Sequence, residues 1–154
     1  MYYTCMNCGK SYEFKKFKGS KYALNVCSID CFKEYLNKTK NFRPDLKDIM
    51  NNNNKLKYNC YENMTSNLQN FRSEAEELFA VKMYEHKIKF EYESYSLVYR
   101  KIMYLPDFYL PEYKVFIEIK DGVWEAGAFN KVRTFNKVAN LYLVTKDMVK
   151  KVLV

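Results

Sequence analysis

The chain has 154 residues, 48% of them apolar and 18% aromatic, which is enough for a mini-domain plus one compact domain with its own core. Its net charge of +8 points to a polyanionic partner, either nucleic acid or an anionic membrane surface. No stretch approaches the roughly 20 apolar residues that span a bilayer, and the opening Met1-Tyr2-Tyr3-Thr4-Cys5 lacks the basic start and apolar run of a secretory signal, so no membrane partner is expected.

A cytoplasmic location follows. In a reducing cytoplasm, five cysteines speak for metal binding rather than disulfides. Four of them form two pairs, Cys5-x-x-Cys8 and Cys27-x-x-x-Cys31. Short spacings of this kind let one backbone turn supply two thiolates to a tetrahedral zinc ion. Gly9 suits a tight knuckle after Cys8, and Phe32 to Leu36 reads as a short helix behind Cys31. The arrangement resembles a treble-clef zinc finger over residues 1–36, with Cys60 left as a free thiol or core residue. Lys10, Lys15, Lys16, Lys18 and Lys21 make the finger a candidate for phosphate contact; a purely structural or dimerising finger is the alternative.

Residues 37–71 are polar, with Asn51 to Asn54 in a row. They read as a linker, with Lys55 and Lys57 as candidate DNA contacts. Residues 1–71 carry 12 basic against 6 acidic side chains, and residues 72–154 carry 14 against 12. The cationic excess therefore sits in front and most acids behind, as expected of a gripping front and a carboxylate-bearing back.

From Arg72 the pattern becomes regular. Ser73 can cap a helix running to about His86. Ile88, Phe90 and Tyr92, continuing to Tyr95, Leu97 and Tyr99, predict one strand. Ile102 to Leu110 predicts a second, interrupted by Pro106, and Lys114 to Lys120 a third, closed by the turn pair Asp121-Gly122. Ala126 to Val138 predicts a helix whose Lys131, Arg133 and Lys137 are further candidate DNA contacts. Leu141 to Thr145 predicts a buried strand and Lys146 to Leu153 a last helix. The order α-β-β-β-α-β-α gives a mixed α+β sheet flanked by helices.

Three acids and a lysine fall at telling places on this frame. Glu118 and Lys120, two apart on a strand, leave the same sheet face. A short antiparallel connection can set Asp107 opposite Glu118, where two carboxylates call for a hard cation such as Mg²⁺ or Mn²⁺. Lys120 would orient water or stabilise phosphorane charge, and Glu76 on the first helix could add an oxygen. Each residue alone would be an ordinary surface charge; the conjunction inside apolar strands is what distinguishes them.

Pro106-Asp107 and Glu118-Ile119-Lys120, after Ser73-Glu74-Ala75-Glu76, resemble the PD-(D/E)xK nuclease superfamily. Residues 72–154 are similar in order to its restriction-endonuclease-like αβββαβ core. The branch resembled most holds very-short-patch-repair, phage junction-resolving and homing endonucleases. The resemblance implies that Glu76, Asp107 and Glu118 hold catalytic Mg²⁺ or Mn²⁺ and that Lys120 supports the attacking water. Glu74 competes with Glu76 for the helix position, and Glu93 is a weaker candidate. The single histidine, His86, cannot supply a histidine base together with histidine ligands and reads as a cap or surface residue. The resemblance implies a metal-dependent DNA endonuclease, with zinc structural and a homodimer on DNA where both strands are cut. Abundant Lys, Asn and Tyr fit an AT-rich gene, hence a phage or mobile element of a low-GC bacterium and a site-specific homing or nicking enzyme. The rivals are a Holliday-junction resolvase and a catalytically idle DNA-binding protein.

Overall fold

A computed structural model of the chain describes residues 2–13, 22–42, 48–52, 61, 71–120 and 126–154. Lys15, Lys16, Lys18, Lys21, Lys55, Lys57, Cys60 and the Asp121-Gly122 turn lie outside the described residues.

The front module is a short hairpin and a helix. Strands β1 (Tyr2–Thr4) and β2 (Ser11–Glu13) pair antiparallel, with Tyr3 opposite Tyr12. Helix α1 (Ile29–Thr39) starts on Ser28, whose hydroxyl accepts from the Cys31 N–H at 3.1 Å, and Asp30 adds a favourable charge in the first turn. The helix therefore runs past Leu36 into the segment read as linker. More of that segment is ordered too: β3 (Met50–Asn52) pairs antiparallel with β5 (Tyr95–Tyr99), bringing Asn51 opposite Ser96.

Helix α2 (Glu74–Glu85) is capped by Ser73, which accepts from the Glu76 N–H at 3.1 Å. Three acids, Glu74, Glu76 and Glu77, occupy its first turn, where the helix dipole favours negative charge. Ala75, Phe79, Ala80 and Met83 bury the inner face. His86 caps the other end through its backbone N–H.

The expected three-strand meander is present with a change. The first long strand divides into β4 (Glu91–Tyr92) and β5; the second divides into β6 (Ile102–Tyr104) and β7 (Phe108–Leu110). β4 pairs with β7 and β5 with β6, so the four pieces form one bent hairpin shared between two sheets. At the bend, the four residues 93–96 face the three residues 105–107. One extra residue against a partner strand is a β-bulge, which bends the strand and re-aims the side chains beside it. Its causes are local. Glu93 takes a left-handed backbone, φ 48°, and Pro106 cannot donate a ladder hydrogen bond. The Glu93 N–H donates instead to the Asp107 carbonyl at 2.9 Å, locking the two sides together.

Strand β8 (Val115–Lys120) pairs antiparallel with β7 and parallel with β9 (Leu141–Thr145); helix α3 (Ala126–Phe135) forms the crossover between them. The four-stranded order is β4-β7-β8-β9. β8 is buried on both faces from Val115 to Ile119, as expected of a central strand. Helix α4 (Lys146–Lys151) follows β9 directly and packs on α2. Both last helices stop short of their predicted ends at Val138 and Leu153. Phe108 sits at the centre of an aromatic cluster, 4.8 Å from Phe79, 5.3 Å from Tyr92 and 5.6 Å from Phe90 between ring centres.

The front module is not free of this core. Ala23 forms a parallel bridge to Leu143 at the open edge of β9. The Leu24 N–H donates to the Leu143 carbonyl at 2.8 Å, and the Leu143 N–H donates to the Tyr22 carbonyl at 3.0 Å. Asn140 donates to the Thr39 carbonyl at 3.0 Å. Leu24, Val26, Phe32 and Leu36 belong to the same buried cluster as Phe108 and Ile117. A cavity of about 370 Å³ lies along this seam, lined by Met6, Tyr22, Tyr35 and Tyr142 among others. None of its lining residues is one of the acids of the back half.

Candidate metal centres

The sulfur atoms of Cys5, Cys8, Cys27 and Cys31 all lie within 4.8 Å of one another. Cys8 to Cys27 and Cys27 to Cys31 each span 3.7 Å between sulfurs. A tetrahedron with metal–sulfur bonds of about 2.3 Å has edges of roughly 3.8 Å, so the cluster fits the size of a zinc tetrathiolate. Local backbone explains the gathering. Gly9 adopts φ 75° and donates to the Cys5 carbonyl at 3.0 Å, closing the knuckle, while the Cys8 N–H points at the Cys5 sulfur at 3.5 Å. Cys31 sits in the first turn of α1, as the spacing predicts. Burial tends to raise the Cys5 thiol, but backbone N–H groups of Cys8, Asn7 and Cys27 outweigh it and bring it down to about 6. Cys27 is pushed up to about 12 by burial, by bonds to its fellow thiols and by the Cys5 charge. Thiols this close share their titration, and a depressed thiol such as Cys5 is readily a thiolate, the form that ligates a metal.

The second centre lies at the bulge. The β7–β8 register sets Phe108 opposite Ile117, so one step further Asp107 stands beside Glu118. Both are buried, at 9% and 8% exposure. Asp107 accepts from the Ile119 N–H at 2.7 Å through Oδ2. Burial and the charges of Glu118 and Glu76 hold its carboxyl well above the usual carboxylate range, against the pull of that N–H and of Lys120. Burial also raises Glu118, opposed by hydrogen bonds or charge from Tyr104, Lys120 and Asp107. Lys120 Nζ lies 3.5 Å from Glu118 Oε1, and about a quarter of its side chain remains exposed.

The helix acids separate clearly. Glu76 is buried and close enough to act on Asp107 electrostatically. Its Oε2 accepts from the Tyr92 hydroxyl at 2.5 Å and from the Arg72 N–H at 3.1 Å. Glu74 is 75% exposed and pairs with Lys146 at 3.5 Å. Glu93 is buried in the bulge and pairs with Arg72 Nε at 2.9 Å. Among the described residues, the cysteines form the one group of three or more ligands gathered within 4.8 Å. Glu76, Asp107 and Glu118 are thus neighbours, but Glu76 is turned toward Tyr92 and Arg72 rather than converging fully on the pair.

Two residues at this centre, both placed in predicted strands, are not among the predicted site residues. Tyr104 donates to Glu118 Oε2 and stacks on Phe135 with ring centres 5.3 Å apart. Tyr92 holds Glu76. Burial and the neighbouring acids keep both phenols protonated far above neutral pH, so both are fixed donors. Strand alternation marks them only as inward tyrosines; their partners depend on the register across the bulge, which alternation within one strand does not give. The candidate DNA contacts Lys10, Lys131, Arg133 and Lys137 are all exposed. No described helix is long and apolar enough to cross a membrane. No family model matches the chain, and comparison with curated proteins and with solved structures finds no match.

Proposed function

We propose that the chain is a divalent-metal-dependent DNA endonuclease of the PD-(D/E)xK type, with a structural zinc finger. The observation that carries this reading is the pair Asp107 and Glu118, buried side by side on adjacent strands with Lys120 at their edge. Burying two ionised carboxylates together is strongly unfavourable; either a proton stays on the pair or a cation joins them, and a cation is what lets both ionise. An all-oxygen donor set suits Mg²⁺ or Mn²⁺, which Asp107 and Glu118 would hold, with Glu76 behind them. The ion supplies Lewis-acid stabilisation of a phosphoryl oxygen and a more acidic water.

The chain's own residues account for the rest. Asp107 is oriented by the Ile119 N–H at Oδ2 and lies in hydrogen-bond contact with Glu118, the pair between which a cation would sit. Glu118 is steadied by Tyr104 at one oxygen and Lys120 at the other. The partly exposed Lys120 ammonium can donate to a phosphate oxygen or hold the attacking water. Glu76, held by Tyr92 and the Arg72 N–H, keeps a further negative charge at the site. DNA is the substrate that the cationic front and the family resemblance favour. A reader joined to a cutter favours site-specific cleavage of the homing or nicking type. One such site per chain cuts one strand, so cutting both takes two copies.

The test is capture of cut ends from a library of random-sequence duplexes, beside cleavage of four-way junctions, with Mg²⁺, Mn²⁺ or neither. Metal-dependent cutting that is lost in Asp107→Asn and Glu118→Gln is expected. Ca²⁺ should permit binding without turnover. No metal-dependent cleavage of either substrate by the parent would overturn the proposal, and cutting confined to junctions would select the resolvase form.

A further inference from the structure

The β5–β6 hairpin turns on Arg100 and Lys101, between the paired residues Tyr99 and Ile102. Both have positive φ, 51° and 64°. Positive φ at both central residues is the mark of a type I′ turn, in which Asn-Gly is the least strained choice. Long side chains are disfavoured there, yet this chain places two cations at the tip. Both are exposed, and neither forms an ion pair with an acid among the described residues. The Arg100 guanidinium lies 5.1 Å from the centre of the Tyr99 ring, which steadies the arm without neutralising it. The outgoing strand then exposes two apolar side chains, Ile102 at 42% and Met103 at 65%.

The hairpin is tied directly to the carboxylate site. Its incoming strand leaves the bulge at Glu93, and its outgoing strand reaches Asp107 three residues after Tyr104. Cross-strand partners share a face, so Asn51, Ser96, Val98 and Met103 lie together on one side of the three-stranded sheet. Tyr104 leaves the other side, toward Glu118.

We infer that the β5–β6 hairpin is a groove-contacting arm for duplex DNA. This rests on the nuclease reading of the adjoining site. Arg100 and Lys101 contact backbone phosphates, and Met103 lies against the groove wall. A β-ribbon fits the major groove, about 12 Å wide, and apolar side chains there meet thymine methyl groups. From Asp107 back to Lys101 the strand spans at most about 20 Å at ~3.3 Å per residue. The contact therefore falls no more than about 0.6 of a helical turn from the phosphate being cut.

The turn chemistry supplies the experiment. Replacing Arg100→Asn together with Lys101→Gly removes both charges while installing the preferred turn. The doubly substituted protein should melt at or above the parental temperature. Its affinity for a fluorescent duplex, measured in Ca²⁺ over a salt series, should fall at least about 10-fold, and the slope of log affinity against log salt should flatten by about 2, at ~0.9 per phosphate lost. Met103→Gln should weaken binding without changing the slope. Parental affinity and slope in the folded double variant would overturn the arm. If that variant melts early, Arg100→Gln and Lys101→Gln serve instead, each expected to flatten the slope by about 1 and each refuting the arm if it does not. The two readings separate: a parent that binds DNA through the hairpin but never cuts it refutes the nuclease alone, whereas a parent that binds no DNA refutes both.

Discussion

Asp107 is the residue on which burial, charge and chemistry converge. Its carboxyl and that of Glu118 are raised by burial, so the folded chain holds their protons more tightly than the unfolded chain does. The stability this linkage contributes is fully present below the unfolded values, near pH ~4, and is lost as pH rises through the raised values. In buffer without divalent ions, the parent should therefore lose melting temperature relative to Asp107→Asn as pH rises from ~5 toward neutrality. Adding Mg²⁺ at neutral pH should restore the parent but not the variant. A parent whose melting tracks that of Asp107→Asn at every pH would remove the electrostatic argument for a cation. Lys120→Ala should leave the fold intact and slow cleavage by ~30- to ~1000-fold, the effect of losing ~2–4 kcal/mol of preorganised stabilisation, read from single-turnover rates. At this scale much was legible: Pro106-Asp107 and Glu118-x-Lys120 interrupt apolar strands. The choice of Glu76 over Glu74 was not. The two are separated only by which faces inward, and helical spacing alone leaves a first-turn acid free to point either way.

Among the elements, the cysteine knuckle and the bulge carry different lessons. The knuckle was readable because ligand chemistry fixes spacing. The bulge was only half legible: the alternation slips by one residue between Tyr92 and Tyr95, but a slip in one strand does not say which partner residues it faces. Pro106 hinted at a break, but not at a strand pair passing from one sheet into another. The sequence order of the meander survived, whereas its division between sheets depends on long-range pairing with Met50–Asn52, drawn from a segment whose polarity suggested a linker. On the proposed zinc reading, metal loss should be felt beyond the finger. Cys31→Ser, or chelation, should speed hydrogen exchange at Leu24 and also at Leu143, whose N–H is bonded to the Tyr22 carbonyl. Exchange at Leu143 that is indifferent to zinc would mean that the finger's metal does not support the strand bridge.

At the scale of the whole molecule, the boundary between front and back halves is a boundary of composition more than of packing. One buried cluster runs from Leu24 and Phe32 through Leu143 to Phe108. A fragment of residues 72–154 should accordingly be less stable than the intact chain and prone to self-association through the uncovered edge of β9, visible by light scattering. A monomeric fragment melting at the parental temperature would show that the bridge contributes little. The bridge from Ala23 to Leu143 also bears on how such a protein can be re-engineered. Exchanging its cysteine module for a foreign one cannot be done by splicing just after Cys31, because that also removes Ala23. The incoming module must bring an extended segment able to pair with Leu143, or the recipient β9 must be redesigned as an outer strand, with charge in place of the missing neighbour. The recombination unit is thus the finger with its pairing strand, and chimeras drawn at sequence landmarks alone should fail at the seam before any question of target choice arises.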